Sequence, residues 1–189
     1  VLMGNSATVF NNRVKITGLV DFSRDGGTDA LRQLAVSNEY FYSILVDHQP
    51  RRMLAAEQEG YDFQFNAPKD GAPVYGDEKK IKQVVANLIS NAIKYCGEDK
   101  VVIINLKKTG KKFRFEISDH GPGISQEDLP HIWDRYYKAS SNYVRPTEGT
   151  GLGLSIVKEI LTRHYAKYGV VSKLGKGTTF WFELDMLKQ

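Results

Sequence analysis

The apolar positions of this chain change period along the sequence, and the changes mark out its elements. In the first 24 residues Met3, Phe10, Val14, Ile16, Leu19 and Val20 are spaced as on a helix. No Pro interrupts them, and Asp25-Gly26-Gly27 supplies a stop. These residues face more than one side, so that helix is expected to pack on a partner helix. A second helical stretch runs from about Ser37 to Glu59, with Ser37 and Asn38 as capping candidates, Gly60 as its end and Pro50 predicting a kink or break. From Tyr61 the period drops to two: Tyr61, Phe63 and Phe65 alternate with Asp62, Gln64 and Asn66, as in a half-buried strand. Asp77 then caps an amphipathic helix of about 77–96. Residues 101–106 and 113–117 read as strands joined by a turn at Thr109-Gly110, and 151–165 as a helix. Two further strands, 168–173 and 178–185, flank Leu174-Gly175-Lys176-Gly177. Between Asp119 and about Gly149 lies a long connection of Gly, Pro, Ser and aromatic residues, a length that in a compact domain marks a functional lid. The pattern predicts an α+β fold: a two-layer α/β sandwich, a mixed β-sheet with helices on one face, preceded by a short helix.

Composition narrows the class. A chain of 189 residues is one domain, or one domain with a short appendage. With 41% hydrophobic and 25% charged residues it reads as folded rather than disordered. No apolar run approaches the ~20 residues of a membrane span, so no membrane contact is expected of it. A lone cysteine, Cys96, excludes an internal disulfide and fits a reducing compartment, with the cytoplasm as the expected location. The net charge of +4 raises nucleic acid as a partner. The basic residues are nevertheless interspersed with acidic ones, except Lys107, Lys108, Lys111 and Lys112, whose place around a hairpin turn favours a solvated surface. No nucleic-acid partner is expected. The chain opens on Val1 without a signal pattern and reads as a piece of a longer protein.

Candidate chemistry sits in three places. On helix 77–96, Ile81, Val85, Leu88, Ile89 and Ala92 share one side, and Gln83, Asn87, Asn91 and Lys94 the other. Asn is a poor helix former, and a solvated face would favour Glu, Lys or Gln. At i and i+4 the two amides lie side by side, with Lys94 nearby. A neutral amide oxygen suits Mg²⁺, which keeps waters and takes substrate phosphates as other ligands. Second, Ser118-Asp119-His120-Gly121-Pro122-Gly123-Ile124 directly follows a strand: its carboxylate can accept from an exocyclic amine, and its glycines admit a ligand close to the backbone. A plain Gly-Pro turn is the alternative. Third, Gly149-Thr150-Gly151-Leu152-Gly153-Leu154-Ser155 opens a helix whose unpaired N–H groups suit an anion such as a triphosphate. It lacks the dinucleotide spacing, and Gly175-Lys176-Gly177-Thr178 is not a phosphate-binding P-loop.

Taken in order, these motifs resemble the ATP-binding catalytic domain of bacterial sensor histidine kinases, members of the GHKL ATP-binding superfamily. The N box resembles residues 83–95, the G1 box Asp119 to Gly123, and the F box Ile132-Trp133-Asp134-Arg135-Tyr136-Tyr137-Lys138. The G2 box is Gly149 to Leu154, and a G3-like box is Gly175 to Phe180. The resemblance covers roughly residues 30–189. It implies ATP and Mg²⁺ as ligands, with Asn91 on the metal, Asn87 beside it, Lys94 at phosphate and Tyr95 on the nucleoside side. Asp119 would accept from the adenine amine, supported through water by Thr179, while Gly121 and Gly123 admit the base. Gly149, Thr150, Gly151, Leu152, Gly153 and Leu154 would shape the phosphate side, and Arg135 and Lys138 would reach the γ-phosphate. A surface ion pair is the alternative for Arg135. Trp133, Tyr136 and Tyr137 would pack the lid.

The implied partners are a dimerisation and phosphoacceptor domain, forming a homodimer in the full-length protein, and a response regulator. None of His48, His120, His131 and His164 has the family's acceptor context, so the acceptor is expected upstream. Residues 1–26 would be the remnant of the second dimerisation helix, and 27–189 the ATP-binding domain. Two departures stand out: His164-Tyr165-Ala166 replaces a common His-Gly-Gly, and Trp133 and Tyr136 replace Phe. Hydrolytic relatives carry a water-activating Glu where this chain has Asn87, an amide that is no general base. That disfavours the alternative of a hydrolytic module, and the complete set of boxes argues against a non-catalytic nucleotide module.

Overall fold

The computed structural model describes residues 7–10, 13–16, 32–36, 59–68, 72–138 and 150–186. In chain order they form β1 (Ala7–Phe10), β2 (Arg13–Ile16), β3 (Arg32–Val36), β4 (Asp62–Asn66), β5 (Ala72–Gly76), α1 (Glu78–Tyr95), β6 (Val101–Thr109), β7 (Lys112–Asp119), α2 (Gly153–Arg163), β8 (Lys167–Lys173) and β9 (Gly177–Asp185). Seven strands make a sheet in the order β1-β2-β4-β6-β7-β9-β8, and β3 pairs with β5 separately. Only β4 and β6 run parallel, because α1 lies in the connection between them; the rest are antiparallel, so the sheet is mixed.

Alternation places the core. Phe63 and Phe65, Val102, Ile104 and Leu106, Phe113, Phe115 and Ile117, and Phe180, Phe182 and Leu184 are buried on one face, in register across β4, β6, β7 and β9. The rings of Phe115 and Phe182 stack with centroids 5.0 Å apart. Against this face α1 lays Ile81, Val84, Val85, Leu88, Ile89 and Ala92, and α2 lays Val157, Ile160 and Leu161. The opposite face is polar: Arg114 pairs with Glu116 and Glu183 and lies 4.0 Å from the Trp181 ring centroid.

Asp77 caps α1 as its sequence predicts, accepting from the Lys80 amide at 3.1 Å. At the end of α2 the amides of Tyr165 and Ala166 bond to the carbonyls of Thr162 and Leu161, both at 3.0 Å, with Tyr165 at a φ of +52°. This is a Schellman stop built without glycine. His164 ties the two helices. Its Nδ1 contacts the Ile160 carbonyl at 2.7 Å and its Nε2 the Asp77 amide at 2.9 Å. A carbonyl only accepts and an amide N–H only donates, so the ring is the neutral tautomer protonated at Nδ1.

Two expectations need correction. Within residues 1–24, the expected helix is replaced by strands β1 and β2, paired antiparallel from Ala7↔Ile16 to Phe10↔Arg13, and Arg13 is in register with Gln64 of β4. Thr8, Val9, Val14 and Ile16 are β-branched and suit a strand. The described part of this segment thus gives no dimerisation helix. The structure also adds β3 and β5, which the sequence pattern does not reveal. The helix expected over Ser37 to Glu59 lies outside the described residues, apart from Glu59.

Candidate nucleotide-binding site

The site begins where a core column turns polar. Asp119 ends β7 on the same face as Phe113, Phe115 and Ile117, in a position its neighbours fill with hydrocarbon. It is 5% exposed, and burial pushes its carboxyl up to about 6, opposed by the backbone amides of Gly121 and Thr178 that face it. Its Oδ1 accepts from the Gly121 N–H at 2.9 Å. A Cβ on Gly121 would stand 1.8 Å from the Tyr95 carbonyl oxygen, so only glycine lets this loop lie against the end of α1. Gly123, with a φ of +74°, is seated as closely: its Cβ would meet the Lys173 carbonyl at 2.2 Å. The G1 box is therefore locked between α1 and the β8–β9 turn. His120 is turned away, with its Nδ1 2.5 Å from Asp99, whose carboxyl this hydrogen bond holds below the usual range.

On α1, Asn87 and Asn91 are half-buried one turn apart, and the Lys94 Nζ lies 4.8 Å from the ring centroid of Tyr95. Asn87 Oδ1 lies 3.8 Å from where a Cβ on Gly153 would be, so the N-box helix meets the start of α2 there. Its Nδ2 is buried and has no hydrogen-bond partner among the described residues. An unsatisfied buried amide donor costs about 1–3 kcal/mol, which an incoming acceptor removes. Among the described residues the start of α2 has Leu152 at its cap, no side-chain capping bond and no acidic residue in its first turn, a positive end suited to an anion. Gly151 and Leu154 flank it half-buried, Thr150 is exposed, and Gly149 lies outside the described residues. Cys96 is no nucleophile: burial, with Asp119 and Asp99 nearby, pushes its thiol up to about 11.

Other sequence candidates are placed elsewhere. Thr179 faces away from Asp119, bonded to Ser118 at 2.8 Å on the opposite side of the sheet. The residue paired across from Asp119 is Thr178, buried at 7% exposure; successive strand residues alternate faces, and parity alone would have found it. Arg135 lies 3.7 Å from Glu159 on the exposed side of α2, the surface ion pair that was its alternative. Lys138 is exposed. Trp133 packs edge-on to Tyr168 and Phe180, whereas Tyr136, at a φ of +65°, is 72% exposed among the described residues. Tyr136 joins the F and G2 boxes instead through its amide, bonded to the Gly151 carbonyl at 3.0 Å. Tyr137 donates to Asp128 at 2.5 Å, which fixes the end of the F box.

Residues 76–188 match the family model described as histidine kinase-, DNA gyrase B-, and HSP90-like ATPase. The chain is 34% identical over 163 residues to the sensor-like histidine kinase SenX3 of Mycolicibacterium smegmatis, covering 86% of this chain and 41% of that one. It is 34% identical over 148 residues to the adaptive-response sensory kinase SasA of Gloeothece citriformis, covering 74% and 37%. The chain thus spans 37% to 41% of the length of these curated relatives. Among solved structures, the catalytic domain of histidine kinase ThkA superposes with a TM-score of 0.62 at 30% identity, over 78% of this chain and 92% of that one. Full-length ShkA shares the fold, with a TM-score of 0.68 at 24% identity over 86% of this chain and 33% of its own. Motif order, fold and matched family agree, and the chain belongs to the histidine kinase-, DNA gyrase B-, and HSP90-like ATPases.

Proposed function

We propose that this chain is the ATP-binding catalytic part of a two-component sensor histidine kinase. It binds Mg-ATP and passes the γ-phosphoryl to a histidine on a dimerisation and phosphoacceptor domain, from which a response regulator takes it. The observation that carries this reading is Asn87: a buried donor with no partner among the described residues, held beside a start of α2 that has no side-chain cap among them. A phosphate oxygen satisfies that donor. An amide at this position does not activate water, which favours transfer over hydrolysis.

The other residues divide the ligand between them. Asp119 and Thr178 take the adenine amine, Gly121 and Gly123 seat the G1 loop against α1 and the β8–β9 turn, and Tyr95 flanks the nucleoside. The start of α2 and Lys94 meet the phosphates. Asn91 supplies a neutral oxygen of the kind Mg²⁺ takes alongside waters and phosphate, and a bound Mg²⁺ there neutralises triphosphate charge. Transfer forms a bond between an imidazole nitrogen and the γ-phosphorus and breaks the bond to the β–γ bridging oxygen, which leaves with its electron pair on ADP; the displaced imidazole proton goes to solvent. Catalysis of this kind is mostly positioning and charge stabilisation. Arg135, engaged by Glu159, is not given a phosphate contact. The setting is the cytoplasm, and among the described residues no helix is long and apolar enough to cross a membrane.

The test is transfer of labelled γ-phosphate from Mg-ATP to a separately supplied dimerisation domain. Label should appear on a histidine of that domain, and Asn91→Ala should lower the rate on the order of 10²-fold with the fold intact. Release of inorganic phosphate without label on the acceptor would point to a hydrolase instead.

A further inference from the structure

The base end of the site contains a fully determined hydroxyl. Ser172, on β8, has three polar neighbours at its Oγ: the Ile124 amide nitrogen at 2.8 Å, the Gly177 carbonyl oxygen at 2.9 Å and the Thr178 Oγ1 at 2.9 Å. A serine hydroxyl offers one proton and two lone pairs. The Ile124 N–H can only donate and the Gly177 carbonyl can only accept, so Ser172 spends its proton on Gly177 and one lone pair on Ile124. What remains is a lone pair, and the Thr178 hydroxyl must donate to it. Thr178 is buried beside Asp119, and Ser172 is the one hydrogen-bond contact of its hydroxyl among the described residues. With its proton held behind it, Thr178 presents only lone pairs to the pocket.

We propose that Ser172 is a positioning residue for base selection: by holding the Thr178 proton it makes Asp119 and Thr178 a two-acceptor floor that takes an exocyclic amine and repels an oxo group. This rests on the reading of the pocket as the adenine end of an ATP site. Inosine triphosphate is the direct probe, because it replaces the 6-amine of ATP with an oxygen. Removing the Ser172 hydroxyl frees Thr178 to turn its proton toward that oxygen, so the selectivity, and not only the affinity, depends on a residue outside ligand contact.

The experiment is calorimetric titration of the full chain with ATP and with inosine triphosphate, for wild type, Ser172→Ala and Ser172→Thr. Wild type should prefer ATP. Ser172→Ala should shrink the preference roughly tenfold, chiefly through tighter inosine triphosphate binding, and Ser172→Thr, which keeps the hydroxyl, should restore it. A Ser172→Ala chain that weakens both nucleotides equally has lost only structural support, and that result overturns the proposal while leaving the ATP site standing. Wild-type protein that binds neither nucleotide overturns both. Should Ser172→Ala fail to fold, Ser172→Cys keeps the volume with a weaker acceptor and reads the same ratio.

Discussion

The carboxyl of Asp119 is held where ionisation is opposed. Burial pushes it up to about 6, so the folded chain binds this proton more tightly than the unfolded chain does. Above pH 6 the fold carries the full cost of the charge, about 3 kcal/mol by linkage. The cost fades as pH falls toward 4, where both states are protonated. Asp119→Asn should therefore raise stability by about 1–3 kcal/mol at pH 7.5 and lose that advantage between pH 6 and 4, as read by urea unfolding. A gain that does not change with pH would count against this origin. Tyr165 offers a second test. Its left-handed backbone closes α2, and the side chain is 89% exposed, so Tyr165→Gly removes strain at little packing cost. The urea midpoint should rise by the equivalent of ~1 kcal/mol with an unchanged slope. At this scale the sequence shows Asp119, Gly121 and Gly123, because motif and chemistry coincide in them. The motif alone points to Thr179, whereas strand parity, with Phe180, Phe182 and Leu184 on the core face, puts Thr178 beside Asp119.

Elements were legible where one period dominated. Helix α1 and strands β4, β6, β7 and β9 follow their apolar spacing because each buries a single face. Strand β5, Ala-Pro-Val-Tyr-Gly, is short and carries Pro and Gly, so its strand character comes from pairing with β3 and not from its own pattern. The first residues misled for the opposite reason: Phe10, Val14 and Ile16 fit either period, and pairing decided between them. The junction of α1 with α2 was also hidden, since nothing in the sequence says that His164 reaches Asp77, 87 positions earlier. His164→Ala leaves the Asp77 amide without its acceptor and should cost about 1–2 kcal/mol, with amide exchange accelerated first in the opening turn of α1. Unchanged protection there would show that the bond does not hold the helices together. Gly121→Ala makes a different prediction, since its Cβ meets backbone at the end of α1. ATP binding should be lost in titration even under conditions where circular dichroism shows the chain folded.

For the whole molecule, the arrangement separates support from chemistry. His164 and Asp77 clamp the helices at the start of α1, while Asn87 and Gly153 meet further along, and Tyr95 at its end abuts the G1 loop. The sheet then carries the proposed base end of the site at the C-terminus of β7. The basic excess does not gather into a patch at the β6–β7 hairpin: Lys107 pairs with Glu116 at 2.7 Å and Lys112 with Asp185 at 2.6 Å. Motif order made the fold class readable, because five short boxes on one chain require a single topology to bring them together; the path of the chain before residue 62 had no such constraint. We propose that Asp119 and the α1 amides form one nucleotide site. Its most direct measurement is calorimetric titration of the full chain with ATP and Mg²⁺, beside folded Asp119→Asn and Asn91→Ala. The wild type should bind one ATP per chain, Asp119→Asn should show no measurable binding, and Asn91→Ala should lose the Mg²⁺-dependent part of the affinity. Equal ATP binding by all three proteins, or none by the wild type, would contradict it.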